Sequence, residues 1–193
     1  MVSLRIACEG EGRRRAVVMF RDGEGRQASV EASVGGDAAE VRVPTYAWPA
    51  FGWDVVKEIR VAVQFPAPGA EVVVERLALV RRERVGPDAS GGPAGGIEVA
   101  LDGSGLDRVR RAGPVAADVW WTTTDGRAII AARNRPLDAG GRASVTTAPP
   151  ADGAKLEVLG YFFRDGVLHV ESVGPDTGGK RVNVRFRASG FGL

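Results

Sequence analysis

The sequence predicts an all-β protein made of two small antiparallel β-sandwich units in tandem, of jelly-roll or immunoglobulin-like type, related by an internal duplication. Three observations carry this prediction. Short segments alternate apolar and polar residues, which is the pattern of half-buried strands. Turn residues separate these segments about every ten residues, as in antiparallel sandwiches. Similar blocks also recur on the two sides of a Gly- and Pro-rich stretch.

The first half of the chain contains five predicted strands. The clearest is residues 58–65, where Ile59, Val61 and Val63 share one face and mostly polar residues occupy the other. A short turn at residues 53–57 is the only helix candidate. The remaining predicted strands are residues 1–9, 17–20, 41–43 and 71–80.

The second half shows the same kind of pattern. Asp165-Gly166 suits a tight turn between two strands. In a final strand around Asn183, alternation places Val182, Val184 and Phe186 inward. The other predicted strands are residues 115–124, 127–132, 143–147, 155–163 and 167–173.

Two positions in these strands allow a prediction of side-chain direction. Adjacent strand residues face opposite sides of a sheet. One of Trp120 and Trp121 is therefore expected in the core, with the other exposed or lying between the two units. His169, the only histidine, lies on the face opposite Leu168 and Val170, which we expect to be the solvent side.

Three blocks recur in the same order in the two halves. Leu4–Gly12 parallels Ile97–Gly105, and Phe20–Arg26 parallels Trp121–Arg127. A third pair of blocks joins 59–77 with 156–173. Their spacing drifts, as sandwich loops allow, and chance similarity between Val- and Gly-rich strands is the alternative explanation. The predicted domains are residues 1–83 and 97–193, joined by a Gly/Pro-rich linker at 84–96.

One resemblance to a known family rests on strand and turn patterns. Val17–Arg26, Glu58–Val80 and Pro149–Leu156 resemble galactose-binding-domain-like β-sandwiches. Such domains occur in carbohydrate-binding modules and in proteins similar to the complex I intermediate-associated assembly factor. The resemblance implies a β-sandwich fold, with sugar binding or assembly as the expected roles.

The composition excludes several functional classes. The 193 residues include 26 basic and 24 acidic side chains, for a net charge of +2, which is too balanced for a dedicated nucleic-acid binder. No apolar run approaches the roughly 20 residues of a membrane span, and the first residues do not resemble a signal peptide. We therefore expect a cytoplasmic location, with attachment to the periphery of a membrane complex as an option.

Catalysis and cofactor binding are not expected. With one histidine and one cysteine, Cys8, which is expected to be buried, neither a transition-metal site nor a nucleophile with its base can be assembled from the usual residues. No phosphate-binding or dinucleotide-binding glycine pattern occurs. A calcium site stays open as an alternative, although turns explain its candidates equally well: Asp22, Glu24, Asp125 and Asp165.

Four aromatic residues within an eight-residue segment are the first candidate binding site: Tyr46, Trp48, Phe51 and Trp53. The matching segment of the second copy, residues 142–152, has no aromatic residue, so the shared fold does not require them. Aromatic side chains anchor protein interfaces and stack on sugars. The open alternatives are a partner interface, a sugar site, or a loop folded back onto the sandwich end.

Arginine clusters are the second candidate. They are expected to be either solvated strand faces or a docking surface for an acidic protein or an anionic membrane surface. The residues of this basic docking surface are Arg13, Arg14, Arg15, Arg81, Arg82, Arg181, Arg185 and Arg187.

These features favour a non-catalytic accessory or structural subunit that contacts other protein subunits in a larger, membrane-associated or soluble assembly. A carbohydrate-binding module with a glycan ligand is the first alternative. A virion or sheath component is the second. Nucleic acid is not a favoured partner, because no known nucleic-acid-binding motif is present.

Overall fold

The computed structural model describes residues 1–8, 12–34, 39–64, 72–80, 82–84, 96–178 and 181–191. Their regular secondary structure is almost entirely β, so the predicted all-β class is confirmed. The strands of the described part of the chain are β1 Val2–Cys8, β2 Arg14–Asp22, β3 Gln27–Val34, β4 Ala39–Val43, β5 Val56–Val63, β6 Val72–Leu79, β7 Arg82–Arg84, β8 Ile97–Asp102, β9 Ala116–Thr122, β10 Ala128–Pro136, β11 Arg142–Thr147, β12 Lys155–Arg164, β13 Val167–Val173, β14 Asp176–Gly178 and β15 Arg181–Arg185.

Helical structure is short. Within the described ranges it comprises one α-helix, α1 (Asp107–Ala112), and 3₁₀ turns at Thr45–Ala47 and Ala188–Phe191. Among the residues described, no helix has the length and apolar character needed to cross a membrane.

The position of the α-helix differs from the sequence prediction. Residues 53–55 form a turn and β5 begins at Val56, so the helix candidate at 53–57 is wrong. The helix α1 instead has Asp107 in its first turn and Arg110 and Arg111 in its last. These charges complement the partial charges at the two helix ends.

The chain divides into two compact units. Unit 1 comprises Met1–Val80, Phe163–Glu171 and Ser189–Leu193, and unit 2 comprises Arg81–Phe162 and Ser172–Ala188. Unit 1 therefore includes most of β13, which comes from the second half of the sequence. The predicted linker, residues 84–96, lies outside the described residues except at Arg84 and Gly96.

Unit 1 contains two groups of paired strands. In one, β1 pairs antiparallel with β4 and with β6. In the other, β2 pairs antiparallel with β3 and β5, and β3 pairs in parallel with β13. Alternate residues of β1 and β2, including Leu4, Ile6, Val18 and Phe20, are buried and form the core of the unit. Cys8 is buried, as predicted.

Unit 2 also contains two groups. In one, β8 pairs antiparallel with β11 and in parallel with β15, which pairs antiparallel with β14. In the other, β9 pairs antiparallel with β10 and β12, and β10 pairs in parallel with β7. The predicted alternation of the last strand is confirmed, because Val182, Val184 and Phe186 are buried.

Both tryptophans of β9 are buried. Trp120 is 1% and Trp121 is 5% exposed, so of the two alternatives for the second tryptophan, exposure to solvent is wrong. The five central residues of β9 are all buried, which means that both faces of this strand are covered. The buried indole N–H of Trp121 has a hydrogen-bond partner, because Nε1 donates a 2.9 Å bond to Oγ1 of Thr147.

Candidate functional site

The aromatic segment packs onto unit 1. The ring centroid of Trp53 lies 4.5 Å from that of Phe51 and 5.2 Å from that of Phe20 in β2. Trp48 contacts Phe163 edge-on, with centroids 5.3 Å apart. Phe51 is buried, whereas Tyr46, Trp48 and Trp53 are half-buried. The segment therefore contributes to the packing of unit 1, and a role of these four residues in binding stays a prediction.

Asp22 connects this segment to the turn between β2 and β3. Its buried carboxylate accepts 2.9 Å hydrogen bonds from the backbone of Gly52 and Glu24. It also accepts bonds from Arg26, of 2.9 Å from the backbone and 2.6 Å from Nε. Burial by itself would raise the pKa of Asp22, but the hydrogen bonds outweigh it and lower the pKa to about 2. The ionised carboxylate thus holds Gly52, next to Trp53, against the turn.

The N-terminal arginine cluster is only partly available to a partner. Arg13 is exposed, but Arg14 Nη1 lies 3.0 Å from the sulfur of Cys8, and Arg15 forms an ion pair with Glu31 in which Nη2 lies 2.6 Å from Oε2. Two further residues of the predicted basic surface, Arg81 and the side chain of Arg82, lie outside the described residues.

The C-terminal arginines are exposed on the polar side of β15 and the residues that follow it. Arg181 lies 3.7 Å from Glu98, and Arg185 lies 3.4 Å from Asp102. Arg187 is exposed as well. Carboxylates on β8 therefore balance part of this basic surface, and its role in docking stays a prediction.

An open groove of about 740 Å³ lies beside these arginines in unit 2. Small and polar residues, Ala100, Ser144 and Asn183, line it along β8, β11 and β15. Three acidic and three basic side chains surround them, and no aromatic side chain is among the described residues of the lining. The charged residues are Glu98, Asp102, Asp138, Arg135, Arg142 and Arg181.

His169 is buried, so the prediction that it faces solvent is wrong. It is 1% exposed, and its Nδ1 lies 4.0 Å from Oε1 of Glu31 and 3.4 Å from the carbonyl oxygen of Phe191. The 3₁₀ turn at Ala188–Phe191 covers the face that strand alternation assigned to water. Burial lowers the pKa of His169, even though the Glu31 carboxylate opposes this shift. With His169 and Glu31 both buried, the pair is out of reach of a substrate.

The candidate calcium ligands are engaged in turns. Asp125 accepts hydrogen bonds from the side chains of Thr123 and Arg127. The Thr123 bond in particular lowers the pKa of Asp125. No group of three or more His, Cys, Asp or Glu residues that could hold a metal ion occurs in the part of the chain that the structure describes.

Strand β6 carries a surface that the sequence analysis missed. Four of its eight residues are large apolar side chains with 44–77% of their area exposed. The observed sheet order places β6 at an edge, next to β1. The strand does not alternate, but strands covered on both faces share this pattern, so the sequence contained no signal specific to its exposure. We call this surface the β6 surface: Val73, Val74, Leu77 and Leu79.

Much of the β6 surface faces the core side of its sheet. Leu77 lies opposite Leu4, and Val74 lies opposite Ile6. Residues directly opposite each other share one face of a sheet, and Leu4 and Ile6 are fully buried. Leu77 and Val74 thus extend the core of unit 1 to an edge where it is open.

Comparison of the chain with protein-family models, with curated protein sequences and with solved structures gives no match.

Proposed function

We propose that the chain is a non-catalytic structural subunit that contacts other proteins of an assembly through the β6 surface. The observation that carries this proposal is the exposure of core-facing apolar side chains on an edge strand, up to 77% for Leu79. Contiguous exposed apolar residues mark interaction sites in soluble proteins. An edge strand also offers unpaired backbone groups to a partner.

The contrast with β5 supports this assignment. This strand is also at the end of its observed sheet order, but Lys57, Glu58 and Arg60 interrupt its apolar residues. Charged side chains of this kind discourage edge-to-edge association. On β6 only Glu75 and Arg76 are charged, so this edge is less protected against pairing.

The engagement of the reactive groups supports a non-catalytic role. The Asp22 carboxylate is occupied by backbone and arginine donors, and His169 is buried beside Glu31. A catalytic acid or base must reach a substrate. These groups instead stabilise the turn and the core of unit 1.

We also propose that the two units are β-sandwiches derived from one duplicated ancestor. Neighbouring strands follow the order β4-β1-β6 and β5-β2-β3-β13 in unit 1, and β11-β8-β15 and β12-β9-β10-β7 in unit 2. In both, the hairpin strands β3 and β10 take a parallel strand as their next neighbour.

The repeated turn sequence supports the same proposal. In the β2–β3 turn, the backbone of Asp22 donates to Arg26 and that of Gly25 donates to Asp22. The β9–β10 turn has the same two bonds, between Thr123, Arg127 and Gly126. Not every block corresponds. The third pair of blocks matches β6 with β13, but β6 pairs antiparallel with β1 whereas β13 pairs in parallel with β3. The resemblance to galactose-binding-domain-like sandwiches stays a prediction.

Affinity purification of the tagged full chain from its native source tests the structural role. Proteins that co-purify in stoichiometric amount with the wild-type chain should be lost with Leu77→Lys and Leu79→Lys. They should be retained with the control Val55→Lys, whose side chain is 51% exposed in the turn before β5. The absence of any stoichiometric protein, or equal loss with all three variants, would refute the proposal.

Glycan binding is the second candidate, and the groove in unit 2 favours it. Neighbouring carboxylate, guanidinium and amide groups offer the donors and acceptors that sugar hydroxyls need. On a glycan array, Arg135→Ala and Asn183→Ala should each weaken a signal that Arg108→Ala, on α1, leaves unchanged. If the aromatic segment were the site, Trp48→Ala would abolish the signal instead. An array without any signal would reject glycan binding.

A further inference from the structure

The two charged residues of β6 lie at the middle of the strand. Its sequence is Val-Val-Val-Glu-Arg-Leu-Ala-Leu, so three apolar residues lie on each side of one acidic and one basic residue. If two such strands pair antiparallel about a two-fold axis between Glu75 and Arg76, each Glu75 faces the Arg76 of the other strand. Residues 72–74 then face residues 77–79, apolar against apolar.

A β-bulge makes the faces of this pairing consistent. Arg76 lies opposite Arg5 and Val74 lies opposite Ile6, which leaves Glu75 as an extra residue without a counterpart on β1. The extra residue reverses the alternation. As a result Val74 and Leu77, three positions apart, both face the core side. The two-fold pairing sets Val74 against Leu77, so core-side residues meet core-side residues.

Neighbouring registers fail on charge. If one β6 strand slides by one residue relative to the other, Glu75 faces Glu75 at the axis in one direction and Arg76 faces Arg76 in the other. Like charges directly opposite each other destabilise a sheet. Arg76 already lies beside Arg5, and Glu75 lies 2.7 Å from Arg5. The Glu75 of the facing strand would therefore place a carboxylate opposite Arg76, which lies beside Arg5 within its own chain.

We propose that a second copy of this chain covers the β6 surface. The two β6 strands pair antiparallel, with Glu75 of each strand opposite Arg76 of the other. The two groups β4-β1-β6 then form one continuous six-stranded sheet. Their apolar side chains extend the two cores across the axis. This inference rests on the proposed function in using the same strand, but it concerns the purified chain alone.

The charges allow a complementation experiment. In sedimentation equilibrium over a wide concentration range, the purified full chain should dimerise. Glu75→Arg and Arg76→Glu each place two like-charge pairs at the axis, and each should weaken the dimer about 30-fold. A mixture of the two variants should dimerise like wild type, because their charges are complementary. The double variant E75R/R76E should also dimerise, since it restores both pairs.

A control separates the contact between copies from the contact within one chain. Arg5→Gln removes the Arg5–Glu75 ion pair without changing either residue at the axis, and it should leave the dimer intact. Restored association in the mixture also shows that each single variant is folded. A monomeric wild-type chain, or a mixture that stays monomeric, would overturn the proposal.

The outcome is separable from that of the proposed function. If the purified chain is monomeric while Leu77→Lys and Leu79→Lys lose a different protein in the affinity purification, the structural role holds and the second copy is excluded. If the charge variants behave as expected but no other protein co-purifies, the dimer holds and the larger assembly is rejected.

Discussion

Replacement of Gly160 by alanine is predicted to destabilise unit 2 through a single close contact. A methyl group at this position of β12 would lie 2.6 Å from Cε1 and 2.8 Å from Cδ1 of Phe186. Ordinary contacts begin at 3.4 Å, so the ring must move by about 0.8 Å. Because Phe186 is only 2% exposed, neighbouring side chains must move as well. Overpacking of this kind costs about 1–3 kcal/mol.

Urea denaturation of three variants and a control tests this value. Gly174→Ala is the control, because a methyl group there has no neighbour within 4 Å, and it should be neutral or stabilising by up to about 1 kcal/mol. Phe186→Leu gives the added methyl group room. The double variant should therefore lose less stability than the sum of the single losses, by about 0.5–3 kcal/mol. Equal stability of Gly160→Ala and the control, or strictly additive losses, would refute the packing argument.

Three other predictions follow from the buried polar groups. Asp22→Ala should release the segment around Trp53, shown by a red shift of tryptophan emission. The difference in melting temperature between the wild type and Asp22→Ala should shrink as pH falls from about 4 toward 2. The reason is that the depressed pKa of Asp22 makes the wild-type carboxylate fully stabilising only above that range. A difference that does not depend on pH would contradict this. Since the pKa of His169 is depressed in the folded state, the wild type should lose stability below about pH 6.5, by at most about 1.4 kcal/mol per pH unit. His169→Gln should flatten that slope in thermal melts, and an unchanged slope would assign it elsewhere. Tyr161→Phe removes a 3.1 Å hydrogen bond to the buried carboxylate of Asp118 and should cost about 1–3 kcal/mol in urea denaturation; a loss equal to that of an exposed substitution would show that the bond contributes nothing.

Local pattern was sufficient to predict most strands. The alternation around Val182 and Val184 placed their side chains on the correct face. The Asp165-Gly166 turn was also readable, because both residues adopt positive φ, 53° and 77°, the conformation that tight hairpins require. In these cases the residues of one short segment are sufficient to predict its local structure.

Where distant segments decide burial, local pattern failed. The direction of His169 was predicted correctly relative to its neighbours, but its exposure depends on Phe191, which closes the face. The parallel pairing of His169 with Glu31 joins strands far apart in sequence, and no local pattern encodes it. The helix at 107–112 was missed although its charges were readable, because six residues are too few to show a helical period.

The candidate binding residues show the same limit. The cluster of aromatic residues was visible in the sequence, but its contact with Phe163, more than a hundred residues later, was not. Conversely, the β6 surface looked like an ordinary core strand. Its exposure depends on the absence of a neighbour on the far side in the observed sheet order, which a sequence read by itself does not specify.

The inclusion of Phe163–Glu171 in unit 1 has a consequence for biosynthesis. The ribosome completes Val80 long before it reaches this segment, a delay of roughly 5–20 s at ordinary elongation rates. Throughout that interval β3 lacks the neighbour that covers one of its edges, so the nascent chain offers an open strand to chaperones or to misplaced pairing. A premature stop before residue 163 would accordingly damage the part of the protein that was translated first.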